Sequence, residues 1–269
     1  MKQALVTIAS PAGGVGKSTT CKELASIFGA TVIDGTPIRT CLVDANIMFG
    51  CQKALLDVAS AKYDITDWLR DHRKLAEDHG YPELEKIYDW DYIQKYLTYI
   101  KERNIYLLAA PEEAAENDLT TPEADILYRT LHKFFDVVII DTQNDTSSAT
   151  ISAIELATHP YCIIIDDECS VSKMLSMRRV LNELDLTRKV TERGGIIFNR
   201  YHKRRRERYM DTAYAESRLS MPVVSVIPDY PDVWVYNNHK AAMSLSRTPV
   251  TDSFRRLAHL IVPEVPVKL

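Results

Sequence analysis

Near the start of the chain, Ser10-Pro11-Ala12-Gly13-Gly14-Val15-Gly16-Lys17-Ser18-Thr19 sets closely spaced glycines ahead of a lysine and two hydroxyl residues. Glycines let a loop turn so that successive backbone N–H groups converge on one anion. Lys17 supplies a point charge that reaches the outer phosphates of a polyphosphate. Ser18 supplies a hydroxyl for Mg²⁺, and Thr19 continues into the helix that the pattern opens. The positive end of that helix adds to the attraction. A second group capable of chemistry is Asp141, at the tip of the apolar run Val137-Val138-Ile139-Ile140. A carboxylate there, beside a phosphate-binding loop, holds a Mg²⁺ ion through water. Taken singly, the first stretch also fits a glycine-rich turn, and Asp141 an aspartate that starts a turn. The agreement of strand, loop and helix favours the phosphate site.

The elements that must position these groups are legible as apolar runs. Ala4 to Ala9 reads as a buried strand ahead of the loop, and Thr20 to Phe28 as the helix behind it. Further strands are expected over Thr40–Asp44, Ile105–Ala110, Val137–Asp141, Tyr161–Asp166, Gly195–Asn199 and Pro222–Ile227, with a short extra one over Thr31–Gly35. Helical spacing of apolar residues marks Ile65–Leu69, Asp91–Leu97, Pro122–Phe134, Ser147–Thr158 and Ser170–Leu184. Strands apolar on both faces, alternating with helices, predict an α/β three-layer sandwich. Its sheet is mostly parallel, of seven to eight strands, with helices on both faces. Ligands of such sheets sit beyond the carboxyl ends of the strands, where the loop, Asp44, Asp141 and Asn199 all fall. No repeat, linker or low-complexity tract interrupts the 269 residues, so one domain is expected.

Composition narrows the class. A net charge of −4, with 46% hydrophobic and 26% charged residues, suits a globular protein and excludes a wholly basic nucleic-acid coat. The five cysteines include no Cys-x-x-Cys pair, and the histidines have no metal-ligand spacing. There is no secretory leader pattern and no apolar run near the roughly 18 residues a membrane span needs, so a cytoplasmic protein is expected. Phe254 to Val262 is amphipathic and reads as a closing helix in preference to a membrane-surface anchor. Lys203-Arg204-Arg205-Arg206-Glu207-Arg208 is the one dense basic run. It fits a solvated helix face or a phosphate-contacting patch for DNA.

The Gly-Gly-x-Gly-Lys-Ser spacing resembles the deviant P-loop of the ParA/MinD family, whose pattern is Lys-Gly-Gly-x-Gly-Lys-Ser/Thr. The resemblance implies ATP and Mg²⁺ as cofactors, a nucleotide-dependent homodimer, and Lys17 and Asp141 as catalytic groups. It implies that Ser18, Asp44 and Asp141 serve the metal, and that Gly13, Gly14, Val15, Gly16, Lys17, Ser18 and Thr19 cradle the phosphates. Asn199-Arg200 and Pro228-Asp229 match the family's adenine-side segments; an Asn can donate and accept together, as the adenine edge requires. The guanine-reading Asn-Lys-x-Asp is absent. The chain departs from the pattern at two places. Ala12 replaces the first lysine, which in relatives crosses the dimer interface. Asn46 replaces the second aspartate of Asp-x-Asp, which orients the attacking water. Relatives also continue Asp141 as Asp-x-Pro-Pro, whereas here Gln143-Asn144-Asp145 follows, leaving Gln143 or Asp145 to orient the water.

Within that family, Cys41-Leu42-Val43-Asp44-Ala45-Asn46-Ile47-Met48-Phe49-Gly50 and Ile65-Thr66-Asp67-Trp68-Leu69 are similar to the CpaE/TadZ-like group. These are localisation ATPases of pilus and secretion systems, and the chain corresponds to their ATPase half without the receiver-like domain. The resemblance implies a positioning ATPase with a protein partner in a positioning or secretion system, and slow or partner-dependent hydrolysis. The alternatives are a DNA-segregation ATPase that binds non-specific DNA through Lys203–Arg208, and a nucleotide-dependent scaffold without turnover.

Overall fold

The computed structural model describes residues 2–79, 87–113, 119–202 and 210–268. Its centre is an eight-stranded sheet in the order β10-β9-β8-β1-β7-β4-β6-β5. The strands are β1 (Ala4–Ala9), β4 (Thr40–Asp44), β5 (Thr98–Ile100), β6 (Ile105–Leu108), β7 (Val137–Asp141), β8 (His159–Ile165), β9 (Gly195–Tyr201) and β10 (Val223–Pro228). A separate antiparallel pair, β2 (Val32–Ile33) and β3 (Thr36–Pro37), stands where one short strand is expected. The helices are α1 (Lys17–Gly29), α2 (Gln52–Leu56), α3 (Ile65–His79), α4 (Trp90–Ile93), α5 (Thr121–Phe134) and α6 (Ser148–Leu156). They continue as α7 (Glu168–Glu183), α8 (Thr187–Arg193), α9 (Thr212–Leu219), α10 (Val233–Asn238) and α11 (Thr251–Ile261).

Every neighbouring pair in the sheet is parallel except β5 with β6. The edge strand β5 is not expected from the sequence. Asp91 to Leu97 has helical spacing, but the chain forms only α4 and a 3₁₀ turn over Gln94–Tyr96 before it extends. There Tyr99 pairs with Tyr106, ring centroids 4.6 Å apart.

β1, β4 and β7 are buried along their whole length because alternate residues point into opposite layers. Val6, Ile8, Leu42 and Ile139 pack toward α1 and α11, whose Leu24, Phe28, Phe254 and Leu257 complete that layer. Leu5, Val43, Val138 and Ile140 pack the other way, among Trp68, Leu127, Leu131 and Ala153. Each such side chain contributes about 1.5–3 kcal/mol when fully buried. The same bookkeeping explains α11. Phe254, Leu257, Ala258 and Ile261 are buried against the sheet side of the molecule, so the amphipathic segment closes the fold as expected. No helix among the described residues is long and apolar enough to cross a membrane.

Candidate phosphate-loop site

The loop between β1 and α1 uses two backbone conformations that L side chains rarely adopt. Gly14 has φ +71° and Gly16 has φ +97°. Nothing lies within 4 Å of a Cβ built on Gly14, whereas one on Gly16 would collide with the Asn199 amide. Gly16 caps α1 without any side-chain bond, and no acidic residue occupies the first turn. The first amides of α1 are therefore not capped by a side chain, as an anion site requires. Lys17 is 7% exposed, and its Nζ donates to the Ser10 carbonyl at 3.4 Å and to Asn144 Oδ1. Burial lowers its pKa, and the charge of Asp141 opposes that fall.

Beside Lys17 stand two carboxylates at the ends of adjacent strands. Asp44 pairs in register with Asp141, and each is 1% exposed. Burial first, then the neighbouring Asp141 charge, pushes Asp44 up to about 7; burial likewise raises Asp141. Gln52, fully buried at the start of α2, ties the pair together. Its backbone N–H donates to Asp44 Oδ2 at 2.8 Å, and its Nε2 donates to Asp141 Oδ2 at 2.8 Å and to the Ser18 carbonyl at 3.0 Å. The Oδ1 atoms of both aspartates are buried with no hydrogen-bond partner. The Ser18 hydroxyl lies beside Asp141 and beside the Cys51 thiol, which burial pushes up to about 11. Unsatisfied carboxylate oxygens next to a hydroxyl form the hard oxygen donor set that suits Mg²⁺. Among the described residues, no three His, Cys, Asp or Glu side chains converge to hold a metal unaided. A Mg²⁺ ion at such a site would keep waters and take phosphate oxygens as further ligands.

The other end of the loop opens into a cavity of about 330 Å³. It lies at the carboxyl ends of β9 and β10, and Gly16, Asn199, Arg200, Pro228, Asp229 and Trp234 are among its walls. The structure thus places Asn199, Arg200, Pro228 and Asp229 on a cavity that adjoins the glycine loop, with Asp44 and Asp141 beside the Lys17 end of that loop. Its local bonds were not foreseen. Asn199 donates through Nδ2 to the Val15 carbonyl at 2.8 Å. Arg200 is exposed at φ +53°, in a stretch where the β9–β10 register shifts. Asp229 pairs with His202 Nε2 at 2.9 Å. Thr19 accepts from Asn237 Nδ2 at 3.3 Å, joining α1 to α10 on the cavity wall. Below it the buried Lys22 donates to Asn237 Oδ1 and to the Ala241 carbonyl, both at 2.9 Å, and lies 2.9 Å from Glu23.

Two substitutions of the expected pattern are also placed. Ala12 is 5% exposed, so its methyl is enclosed. Asn46 donates to the Phe49 carbonyl at 2.9 Å, within its own turn. Of the candidates to orient water, Asp145 accepts from Ser147 and Thr150 at the entry to α6, and Gln143 is buried. Gln52 and Asn144, with Asn237 and Trp234 on the cavity wall, are residues of the site that the sequence reading did not single out. Lys203–Arg208 lies outside the described residues.

A parallel sheet, a glycine loop capping a buried helix, a lysine in the loop and paired acids on adjacent strand tips define a P-loop nucleoside-triphosphatase fold. No family model matches the chain. It is 22% identical over 279 residues to the septum site-determining protein MinD of Thermotoga maritima, covering 98% of this chain and 90% of the relative. A ParA family ATPase from Chlorobium tepidum superposes with a TM-score of 0.73 at 15% identity, over 96% of this chain and 98% of that one. MinD of Pyrococcus horikoshii, solved in complex with Mg-ADP, superposes with a TM-score of 0.70 at 18% identity, over 96% and 95%. The relatives and structural neighbours are MinD/ParA-family P-loop ATPases, and the chain has their fold.

Proposed function

We propose that this chain is an ATP-binding positioning ATPase of the MinD/ParA type. In this reading residues 13–19 and the Lys17 ammonium hold the phosphates, and Ser18, Asp44 and Asp141 serve Mg²⁺ directly or through water. Asn199, Arg200, Pro228 and Asp229 take the adenine side. The nucleotide then joins two copies of the chain, and the dimer engages a protein partner. The CpaE/TadZ-like pattern around Asp44 favours a partner in a pilus or secretion machinery. The observation that carries the reading is the meeting of a buried Lys17, unsatisfied Asp44 and Asp141 oxygens and an adjoining cavity at one helix terminus.

A second reading, a nucleotide-dependent scaffold with little or no turnover, draws on Asn46. Its amide is bound within its own turn and cannot act as a base. Non-specific DNA binding through Lys203–Arg208 remains the third, with steep weakening by salt as its signature.

Trp234 reports on all three. It lines the cavity and is 64% exposed, whereas Trp68 is buried and Trp90 packs against Tyr106, Phe134 and Phe135. Mg-ATP is expected to change the intrinsic fluorescence saturably, and Trp234→Phe to abolish that change. An unchanged response in Trp234→Phe places the ligand elsewhere. Following phosphate release and solution mass in the same titration, with and without DNA, separates the readings. Dimerisation without turnover marks the scaffold, and DNA-stimulated turnover marks segregation.

A further inference from the structure

Behind the phosphate loop, α1 carries a wholly buried ion pair, with Lys22 Nζ 2.9 Å from Glu23 Oε1. The pair is held from both sides. Glu23 Oε2 accepts from the Ser244 N–H at 2.8 Å, and Lys22 Nζ donates to Asn237 Oδ1 and to the Ala241 carbonyl, each at 2.9 Å. An ammonium has three N–H donors and no acceptor, so Glu23, Asn237 and Ala241 use all that Lys22 has. They also decide which way the Asn237 amide lies. Its oxygen must face Lys22, and its Nδ2 then faces Thr19, whose Oγ1 accepts at 3.3 Å. With a lone pair turned to α10, the Thr19 hydroxyl cannot also point its hydrogen there. Among the described residues no acceptor takes that hydrogen. Thr19 is partly exposed and lines the cavity, so the hydrogen is directed into it.

We propose that Asn237 is a positioning residue: fixed by the buried Lys22, it sets the Thr19 hydroxyl to donate to an anionic oxygen of the nucleotide. The inference rests on the loop and cavity being a nucleotide site. Without the amide, the hydroxyl rotates freely and has no preferred direction before the ligand arrives. An aspartate at position 237 would still accept from Lys22 but would offer oxygens to Thr19 as well. The Thr19 hydrogen would then turn toward α10 and away from the ligand.

The test is calorimetric titration of Mg-ADP into the wild type, Asn237→Ala, Asn237→Asp, Thr19→Val and the double variant Thr19→Val with Asn237→Ala, with melting temperatures taken alongside. Asn237→Ala is expected to lose about tenfold in affinity. Asn237→Asp is expected to lose at least about tenfold while melting no lower than the wild type, because its contact to Lys22 gains charge. Thr19→Val is expected to lose about tenfold, and the double variant to bind no more weakly than Thr19→Val, because the amide acts through the hydroxyl. Additive losses, about a hundredfold in the double variant, overturn the proposal and leave Asn237 as a strut of α10. So does an Asn237→Asp protein that binds Mg-ADP as the wild type does. A wild type that binds no Mg-ADP overturns the nucleotide reading itself, and this inference with it. A wild type that binds, with an Asn237→Ala protein of equal affinity, overturns this inference alone.

Discussion

Lys17→Ala is expected to weaken Mg-ATP binding by about a hundred- to a thousandfold while leaving the nucleotide-free protein folded. The ammonium is almost wholly removed from water, where a charge-assisted bond to phosphate is at its strongest. Among the described residues its hydrogen-bond partners are the Ser10 carbonyl and Asn144. Its burial cost, seen in the lowered pKa, is therefore offset only in part until an anion arrives. Removing it sacrifices little of the resting fold and nearly all of the grip on a polyphosphate. Thermal melting makes the contrast visible. At a ligand concentration a hundred times Kd, the wild type gains about 2.7 kcal/mol and the variant close to nothing. Lys17→Arg is expected to fail as well, because a planar fork does not fit a slot shaped for a point charge. A Lys17→Ala protein that binds Mg-ATP as the wild type does would remove Lys17 from the site.

Asp141→Asn is expected to act in opposite directions on the two states. It stabilises the metal-free protein and abolishes the increase in ATP affinity that Mg²⁺ gives the wild type, a loss of at least about tenfold. Two buried carboxylates on paired strand tips repel each other, and Gln52 satisfies only one oxygen of each. An amide oxygen at position 141 can still accept from Gln52 but brings no charge. The pH dependence follows from the raised acids. Asp44 in the folded protein titrates near 7, well above an unfolded carboxylate. The folded state therefore holds a proton that the unfolded chain releases, and metal-free stability falls as pH rises from about 4 toward about 7. Mg²⁺ neutralises the ionised pair, so its stabilising effect is expected to be larger at pH 8 than at pH 6. Melting curves with and without Mg²⁺ across that range check both signs. A flat profile in the wild type, or an Asp141→Asn protein still sensitive to Mg²⁺, would exclude the acid pair as the metal's seat.

The phosphate loop and the central strands were legible in the sequence for a simple physical reason. A strand buried on both faces must be apolar throughout, and a loop around an anion must be rich in glycine. β1, β4 and β7 therefore stand where their apolar runs stand, and Gly14 and Gly16 take the positive φ values their type permits. β5 was hidden because Thr98-Tyr99-Ile100 is short and continues a helical spacing that the chain abandons after Ile93. Gln52 and Asn144 were hidden because an amide acquires its role from whatever the fold returns beside it. Gln52 meets Ser18 from 34 positions away, and Asn144 meets Lys17 from 127. Lys22 and Glu23, adjacent charges within α1, are fully buried. Ser244, which donates to Glu23 at 2.8 Å, and Asn237 on α10 hold them there.

Calorimetric titration of the full chain with Mg-ATP puts the whole reading at risk in one step. Saturable binding of one nucleotide per chain, lost in Lys17→Ala and weakened without Mg²⁺, is the expected result. A wild-type protein that gives no binding heat and no rise in melting temperature at roughly millimolar Mg-ATP would contradict it.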